Sequence, residues 1–590
     1  MRFASTPLAV LTVFAAVFFS ELHSAWAAEP LNALAPVGEA SEELVLTELA
    51  PQTPLDLARR AEGKVRWLRS NYEIVIPRQA TSQEQKAAYE LEFWLEQMTG
   101  VAMPVVTDEA HDKNVQKRRA IHVGVTSGYR KAGFKAPDAT LGDEGYAISV
   151  KDGDLFLVGG RRRGPINAVL ALLEEDLGCR WLPGDVNVTA HRPELSFRPV
   201  PRRHVPAFEG REPFYFESLS PIWSLRNRTN STHVPIPDAW GGFTFWALRT
   251  HSHLLLVPPE KYFDSHPEYY GQRRASSERD SHYLCLTNPE VLSIAVDRLR
   301  SILRDNPGSR AAVIGQEDGG HHGCFCDRCT ALNDQQGTQQ ATHLAFVNAI
   351  AQTMEKEFPG VTFCTYAYAY TVAPPQTLRA RANVGVRLCN TDTFDEPFTA
   401  MQDHDLFRRH FLGWKAVCNN LFIYDYWAHP EFPKAPTPNM DMIARNIRWL
   451  AEQKVREVSG LGTGTWYPLG DRSEMRTWVT AKLLWNPKWD HVALARDFIE
   501  HYYGKAAPAM LEYEKLLARD LDLNRAAMKR PAEGRRYPIT APLYSPAFLS
   551  EAEALLDRAH RSAETDAIRQ RVERVQNTIA FVREKQRPSK

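Results

Sequence analysis

The stretch AAVIGQEDGGHHGCFCDRC, residues 311–329, joins an apolar run to a segment rich in acids, glycines, histidines and cysteines. The run AAVIGQ is apolar enough to be an inner strand of a parallel sheet. A helical stretch, THLAFVNAIAQTMEKEF (342–358), and another strand, VTFCTYAY (361–368), come after it. This order of strand, long loop, helix and strand predicts parallel strands joined by crossover helices.

The same alternation extends over residues 205–490, where a second helical stretch is PEVLSIAVDRLRSILRD (289–305). Seven candidate strands are FEGREPFYFE, GFTFWALRTH, AAVIGQ, VTFCTYAY, VGVRLC, NLFIYDYW and VREVSGLGTG. Alternating strands and helices over this length are typical of a (β/α)8 barrel, for which seven of the eight strands are identified. The sequence therefore predicts an α/β fold with a TIM-like barrel as the candidate catalytic domain.

The regions on either side of the predicted barrel have other patterns. Residues 65–200 contain the strand YEIVIP, the amphipathic helix SQEQKAAYELEFWLEQMTG ended by Gly100, and a hairpin signal at Asp152-Gly153. These features predict a small α/β domain before the barrel. From about residue 473 the pattern turns helical, and residues 491–590 are predicted to be a helical C-terminal region.

The N-terminal residues 1–27 are typical of a secretory signal peptide, with Arg2, an apolar run over 8–19 and Ala-Trp-Ala at 25–27. Residues 28–64 lack a clear period and predict a linker. We expect an exported protein, periplasmic or extracellular, and a retained membrane anchor is the alternative. The sequence after residue 27 contains no apolar run of about 20 residues, so it predicts no integral membrane segment. The 71 basic and 71 acidic residues balance, which argues against a nucleic-acid partner.

Two resemblances to known families follow from these segments. YEIVIP, AAYELEFWLEQMTG, IHVGVT and GYAISVKDGDLFLVGGRRRGPINAVLALLEEDLGCRWL resemble the N-terminal domain of family 67 α-glucuronidases, which is akin to the domain before the barrel in β-hexosaminidases. HSHLLLVPPEKYFDSHPEYY, LCLTNPEV, EDGG…CFCDRC, NLFIYDYW with PTPNM, and AKLLWNP resemble the domain of unknown function 4838. Glycoside hydrolase family 163, which contains endo-β-N-acetylglucosaminidases acting on N-glycans, is related to that domain. The resemblance implies a glycoside hydrolase with a glycan substrate.

The acidic pair Glu317 and Asp318 comes where the strand AAVIGQ ends, and barrel enzymes carry their chemistry at the carboxyl ends of the strands. Glycoside hydrolysis needs an acid for the leaving oxygen and a second group at the sugar carbon. We expect Asp318 to hold the acetamido group of the substrate and Glu317 to be the acid. Neighbouring side chains in a strand point to opposite faces. Both carboxylates can therefore face the open end of the barrel only if the strand ends before them. A solvated turn at Asp318-Gly319 is the alternative. In the family that the chain resembles, the Asp-Gly part is the regular feature.

Six residues near other strand ends are candidates for binding the substrate: His251, His253, Tyr424, Asp425, Tyr426 and Trp466. The two histidines could form a metal pair, but hydrogen bonds to sugar hydroxyls are favoured because no carboxylate partner is evident. Aromatic rings beside an acid suit a sugar pocket, although alternation along the strand places some of these side chains in the core. Trp466 is a candidate stacking platform or lid residue.

The stretch Gly460-Leu461-Gly462 departs from the pattern of the family, in which Glu-Gln-Gly is frequent at this place. If that glutamate is catalytic in the relatives, this chain lacks it. A non-catalytic glycan-binding protein is therefore the alternative from another class. Among substrates, glycans that contain N-acetylhexosamine are favoured and glycans of uronic acids come second.

The chain has eight cysteines, three of which form the C-x-C-x2-C pattern of Cys324, Cys326 and Cys329. Together with His321 or His322 they could make a tetrahedral zinc site. Export favours a disulfide-bound or simply structural loop instead. Because no four-ligand spacing is evident, we expect no metal and no organic cofactor.

Overall fold

The structure is a computed structural model and describes residues 72–114, 118–137, 139–189, 199–319, 322–390, 406–429, 432–464, 470–524, 539–540 and 542–587. The predicted signal peptide (1–27) and linker (28–64) lie outside the described residues, as do His321 and Trp466. Across the described ranges, no helix is long and apolar enough to span a membrane.

The first part of the chain folds around a mixed sheet of six strands in the order β2-β1-β3-β5-β4-β8. The strands of this part are β1 (Tyr72–Ile76), β2 (Val105–Thr107), β3 (Arg119–Val123), β4 (Tyr146–Lys151), β5 (Asp154–Gly159), β6 (Arg180–Leu182), β7 (Val186–Val188) and β8 (Arg202–His204). Strands β6 and β7 form a separate antiparallel pair. The α/β structure that the sequence predicts is present over these residues.

The local signals of this part act as predicted. Its helices are α1 (Ser82–Thr99), α2 (Asp108–Lys113), α3 (Ser127–Lys131) and α4 (Gly164–Ala171). Helix α1 begins with a capping box of Thr81 and Glu84 and ends at Gly100, which adopts a φ of 70°. Asp152 and Gly153 have φ of 51° and 82°, as the turn of the antiparallel β4–β5 hairpin requires.

The central part contains a parallel sheet of seven strands in the order β10-β13-β14-β15-β16-β17-β9. The strands of this part are β9 (Gly210–Phe214), β10 (Trp246–Leu248), β11 (Tyr270–Gln272), β12 (Arg279–Leu284), β13 (Ala311–Val313), β14 (Thr362–Ala367), β15 (Val384–Asn390), β16 (Asn420–Tyr426) and β17 (Glu457–Leu461). All seven strands predicted for the barrel form this sheet, while β11 and β12 make a hairpin beside it. In the part of the chain that is described, no eighth strand joins it, so the TIM-like sheet has seven strands.

Helices surround this sheet and continue beyond it. They are α5 (Pro221–Arg226), α6 (His253–Leu256), α7 (Pro259–Tyr262), α8 (Pro289–Asp305), α9 (Asp327–Gln336), α10 (Gln340–Met354), α11 (Leu406–Val417), α12 (Met440–Glu452), α13 (Ser473–Trp485), α14 (His491–Tyr503), α15 (Ala507–Asn524), α16 (Pro546–Ser562) and α17 (Asp566–Lys585). Helix α8 shows why they pack inward, since buried residues recur every fourth position from Val291 to Leu303 and Val296 lies on the same face. The predicted helical C-terminal region is confirmed.

Helix α13 ties the parts of the molecule together, because every one of its residues is buried. Lys482 of this helix forms an ion pair with Glu174, which follows α4 in the N-terminal part. One turn and a half earlier, Arg476 donates to the carbonyl of Trp427 at the end of β16. The barrel sheet, the first sheet and the terminal helices thus share one contiguous core.

Candidate active site

A cavity of about 580 Å³ lies at the carboxyl ends of the seven parallel strands. Each strand, or the loop directly after it, contributes at least one residue to the lining. Since parallel strands place all their carboxyl ends at one edge, side chains far apart in sequence meet there. The cavity holds the mixture of aromatic rings and convergent polar groups that is typical of small-molecule sites.

A second cavity, of about 720 Å³, is larger but lies elsewhere, between the first sheet and the amino ends of the barrel strands. Four of its charged groups form two ion pairs. Arg310 contacts Asp143 at 2.6 Å, and Arg211 forms an ion pair with Glu144. Because these two carboxylates, which line it together with Glu209, are already neutralised, the cavity at the carboxyl ends is the better candidate for the active site.

Asp318 lines the cavity at the carboxyl ends of the strands, here called the mouth cavity. Two hydrogen-bond donors hold its carboxylate in place. The hydroxyl of Tyr368 donates to Oδ1 at 3.1 Å, and the backbone N–H of Gly319 donates to the same oxygen at 2.9 Å. The carbonyl of Asp318 accepts from Nε2 of His282 at 3.1 Å. Burial and the neighbouring Asp318 raise the pKa of Tyr368 to about 12, so its hydroxyl stays protonated and donates. Oδ2 of Asp318 has no hydrogen bond within the described residues.

Glu317 is placed differently from its neighbour. Its Oε1 accepts a hydrogen bond of 3.0 Å from the backbone N–H of Leu254 in the first turn of α6. It is absent from the lining of the mouth cavity, whereas Asp318 is part of it. Strand β13 ends at Val313, before both acidic residues. Their two carboxylates nevertheless have different surroundings. The structure therefore brings only Asp318 of this predicted pair into the cavity.

The strand β16 separates its predicted residues by alternation. Tyr424 and Tyr426 line the cavity, while Asp425 is buried on the opposite face of the strand. The carboxylate of Asp425 accepts from Asn390 Nδ2 at 2.8 Å and from Trp427 Nε1 at 3.0 Å. Burial raises the pKa of Asp425 to about 6, against the opposing effect of these hydrogen bonds. Asp425 thus braces the strand from outside the cavity.

The two predicted histidines also part. His251 lines the cavity, and its Nδ1 lies 2.5 Å from the carbonyl oxygen of Gln316, which can only accept a hydrogen bond. Nδ1 therefore carries the proton. His253 is buried away from the cavity, where its ring stacks on His343 with centroids 5.3 Å apart. Burial lowers the pKa of His253 well below its ordinary value, so this ring is neutral.

A buried carboxylate on β9 orients a further histidine of the cavity. Nδ1 of His233 lies 2.6 Å from Oε1 of Glu212, and Ser459 Oγ donates to Oε2 of Glu212 at 2.5 Å. Burial opposes the charge of Glu212, but His233 and Arg387 outweigh it and lower the pKa of Glu212 to about 2. Since Nδ1 of His233 is occupied, Nε2 is the nitrogen left for a substrate. This pairing is typical of a general acid or base with its orienting carboxylate.

Two arginines complete the electrostatics of the cavity. Arg387 of β15 is buried, contacts Glu457 Oε1 at 2.5 Å and lies 4.4 Å from the ring centre of Trp246. Burial opposes its charge, but Glu457, Tyr366 and Glu212 raise the pKa of Arg387 above its usual value. Arg249 lines the cavity half-buried and makes no ion pair with any residue that the structure describes. The cavity therefore offers one guanidinium without a directly bound carboxylate.

Comparison with known proteins identifies the family. Residues 189–515, more than half of the chain, match the family described as domain of unknown function (DUF4838). The chain belongs to the DUF4838 family. Residues 58–171 of this DUF4838 protein also match the glycosyl hydrolase family 67 N-terminus. Both expected resemblances are thus confirmed. No curated protein matches the chain significantly.

Solved structures similar to the DUF4838 protein include three glycoside hydrolases. CpGH84B is 11% identical, with a TM-score of 0.48 over 87% of this chain and 86% of the other. The N-acetyl-β-hexosaminidase of Streptomyces plicatus in complex with Thio-NAglucal is 13% identical, with a TM-score of 0.44 over 80% and 93%. A GH138 enzyme targeting pectin rhamnogalacturonan II is 10% identical, with a TM-score of 0.37 over 87% and 85%.

Several residues of the DUF4838 site were absent from the sequence prediction: Glu212, His233, Arg249, Tyr368 and Arg387. Four of them lie in or directly beside predicted strands, so counting alternate positions toward each carboxyl end would have found them. His233 lies in a loop after α5 and has no local signal. Only the packing of that loop against β9, where His233 stacks on Phe214 with centroids 4.4 Å apart, brings it to the cavity.

Proposed function

We propose that this protein hydrolyses glycosidic bonds of a glycan in the cavity at the carboxyl ends of its barrel strands. One observation carries the proposal: the cavity holds both the carboxylate of Asp318 and the imidazole of His233, which the buried Glu212 orients. The match of residues 58–171 to a glycosyl hydrolase N-terminus supports the same class of activity.

The proposed chemistry assigns the acid to His233. Cleavage requires a proton for the leaving oxygen and stabilisation of an oxocarbenium-like sugar carbon. Nε2 of His233 is free to deliver the proton, because Glu212 occupies Nδ1 and fixes the orientation of the ring. Glu317, for which the sequence predicted this role, instead binds the backbone of α6. In this assignment Asp318 is the group that stabilises the charge that develops on the sugar.

The favoured substrate is a glycan that contains N-acetylhexosamine. In substrate-assisted hydrolysis the acetamido oxygen attacks the sugar carbon, and a carboxylate that holds the acetamido N–H stabilises the charge that develops. Oδ1 of Asp318 is fixed by Tyr368 and Gly319, which leaves Oδ2 to accept that N–H. The rings of Tyr424 and Tyr426 supply apolar surface for the faces of the sugar.

Glycans of uronic acids are the second candidate, and Arg249 is the observation that favours them. A guanidinium without an ion-pair partner in the described chain suits the carboxylate of a uronic acid, which it binds with two parallel hydrogen bonds.

The departure at Gly460 does not by itself speak against catalysis. A Cβ at this position would lie 2.1 Å from Cε3 of Trp427, so a side chain there points away from the cavity. Leu461 is the residue of β17 that lines it. A non-catalytic glycan-binding protein stays the competing function from another class.

The test is a screen of the purified protein against N-glycans, aryl N-acetylhexosaminides and aryl uronides, with product analysis by mass spectrometry. We expect release of an N-acetylhexosamine-containing product. Binding on a glycan array without turnover of any of these compounds would favour the binding protein instead.

Export of the mature protein, on the strength of residues 1–27, is a separate proposal. Cell fractionation and N-terminal sequencing of the native protein test it, and a mature chain that starts near Ala28 is expected.

A further inference from the structure

Four cysteine side chains from two separate segments converge beside the hairpin β11–β12. Cys285 directly follows β12, while Cys324, Cys326 and Cys329 lie at and before the first turn of α9. Their sulfur atoms all lie within 4.8 Å of one another. Cys285 supplies the fourth sulfur that is missing from the C-x-C-x2-C pattern. The expectation of no metal was based on the absence of a fourth ligand from that pattern.

The distances between the sulfurs distinguish the chemistry open to this cluster. Cys285 Sγ lies 3.6 Å from Cys326 Sγ and 4.0 Å from Cys329 Sγ. A tetrahedral zinc ion with Zn–S bonds of about 2.3 Å places its sulfurs about 3.8 Å apart. A disulfide requires about 2.05 Å between one pair and leaves the others unconstrained. The spacing of several sulfurs around one centre fits the tetrahedron.

The surroundings of the cluster are those of a thiolate site. Three of the four cysteines are buried, and Cys326 is half-buried. The backbone N–H of Gln272 donates to Cys324 Sγ at 3.3 Å, and the hydroxyl of Thr287 lies 3.1 Å from Cys329 Sγ. Such hydrogen bonds stabilise sulfur ligands in their charged form. The four side chains also pack as a small cluster of their own, apart from the main apolar core.

We propose that Cys285, Cys324, Cys326 and Cys329 bind one zinc ion as a structural site. Four protein ligands leave no open position for a substrate, which is the mark of a structural rather than a catalytic zinc. Zinc displaces the four thiol protons and holds all four sulfurs as thiolates, with no change of oxidation state.

The site would fix the segment that carries Asp318. Asp318 lines the cavity, residues 322–326 directly precede α9, and the hairpin β11–β12 leads to Cys285. Between these two segments, His282 donates to the carbonyl of Asp318 at 3.1 Å and the N–H of Phe325 donates to the carbonyl of Gln272 at 2.9 Å. A zinc ion bound by cysteines of both segments would hold the two segments together beside these two hydrogen bonds.

The first experiment measures metal and thiols in the full-length native protein, purified without chelator. Mass spectrometry of the metal content is expected to show about one zinc per chain. Thiol titration of the denatured protein after chelation should find these four cysteines reduced. Two disulfides among them, or no zinc uptake by the reduced protein on anaerobic addition of Zn²⁺, would overturn the proposal.

The second experiment uses a ligand variant and a matched control. Cys285→Ser removes one of the four thiolate ligands, so the zinc affinity should fall by more than the roughly 10- to 100-fold that loss of a hydrogen-bond partner of a ligand costs. Cys418→Ser changes an equally buried cysteine that contacts backbone carbonyls near β16, and it should keep its zinc. Equal zinc content in both variants would contradict the assignment of Cys285.

A third measurement does not depend on how the variants fold. Cobalt(II) added to the metal-free wild-type protein should give the absorption bands of tetrahedral thiolate coordination, and zinc should then abolish them. A spectrum typical of octahedral oxygen ligands would exclude a thiolate site.

Discussion

Nδ1 of His233 lies 2.6 Å from Oε1 of Glu212, which joins an imidazole of the mouth cavity to a carboxylate buried behind it. The buried carboxylate occupies Nδ1 of the ring and leaves Nε2 toward the cavity. In the proposed mechanism Glu212 acts through His233, without contact with the sugar.

Replacement of Glu212 by Gln should lower kcat and change KM little. Without the carboxylate the ring loses the acceptor that holds Nδ1 and leaves Nε2 for the substrate, so proton delivery to the leaving oxygen slows. His233→Gln should cost about 100- to 10,000-fold in kcat. Initial rates over a range of substrate concentrations give kcat and KM for both variants.

The chain offers a matched control for this pair. His111 Nδ1 contacts Glu73 Oε1 at 2.5 Å in the N-terminal part, far from the cavity in the sequence. Glu73→Gln removes the same kind of contact and should leave kcat unchanged. An equal loss of kcat in both variants would mean that Glu212 has no particular link to the reaction.

Replacement of Asp318 by Asn should reduce kcat far more than it raises KM, because the lost charge acts in the transition state. We expect a loss of about 100-fold or more, measured on an aryl N-acetylhexosaminide. Asp297→Asn is the control, since Asp297 is an exposed aspartate on α8 that pairs with Arg300. Wild-type kinetics of Asp318→Asn would remove this residue from the mechanism.

Replacement of Arg249 by Gln separates the two candidate substrates. If uronic acids bind in the cavity, their affinity should fall about 30-fold or more, because the guanidinium is the partner of their carboxylate. Neutral N-acetylhexosaminides should change little. Arg445→Gln, an exposed arginine of α12 in an ion pair with Asp441, controls for the loss of one positive charge. An unchanged affinity for uronides would rule out this role for Arg249.

Asp425 should make the stability of the protein depend on pH. Its pKa is raised from 3.8 to about 6 by burial, so the folded state binds the proton more tightly than the unfolded state. The resulting stabilisation is complete below about pH 3.8 and is lost as the pH rises through 6. It amounts to about 3 kcal/mol between these limits.

Urea unfolding of the wild type and of Asp425→Asn at several pH values between these limits measures this effect. The asparagine carries no proton, so the stability of the wild type relative to the variant should fall with rising pH. Asp297→Asn, on the surface, should show no such trend. A constant difference between the wild type and Asp425→Asn would refute the proposed titration.

Replacement of Gly460 by Ala should destabilise the fold by about 1–3 kcal/mol, since the new Cβ would lie 2.1 Å from the ring of Trp427. Gly360→Ala is the matched control, because nothing lies within 4 Å of a Cβ at that position. Chemical denaturation of both variants tests this. Equal stabilities would show that the ring of Trp427 moves aside without cost.

Local periodicity was sufficient to predict the seven strands of the barrel sheet and the long helices of this protein. The seven barrel strands, the long helices such as α8, and the hairpin turn at Asp152 and Gly153 all follow from patterns within a few neighbouring residues. The sequence also placed Asp318 at the end of a barrel strand. Such features are fixed by the geometry of a single strand, helix or turn, which depends on nearby residues.

Only the tertiary structure decided which side chains meet. It separated Asp318 from Glu317, moved Asp425 and His253 out of the cavity, and brought His233 to Glu212 and Cys285 to the other three cysteines. These outcomes depend on how loops pack and on which face of a strand turns inward, and both are set by contacts between segments distant in sequence. No local pattern encodes such contacts, because the free energy that selects them comes from packing the whole core.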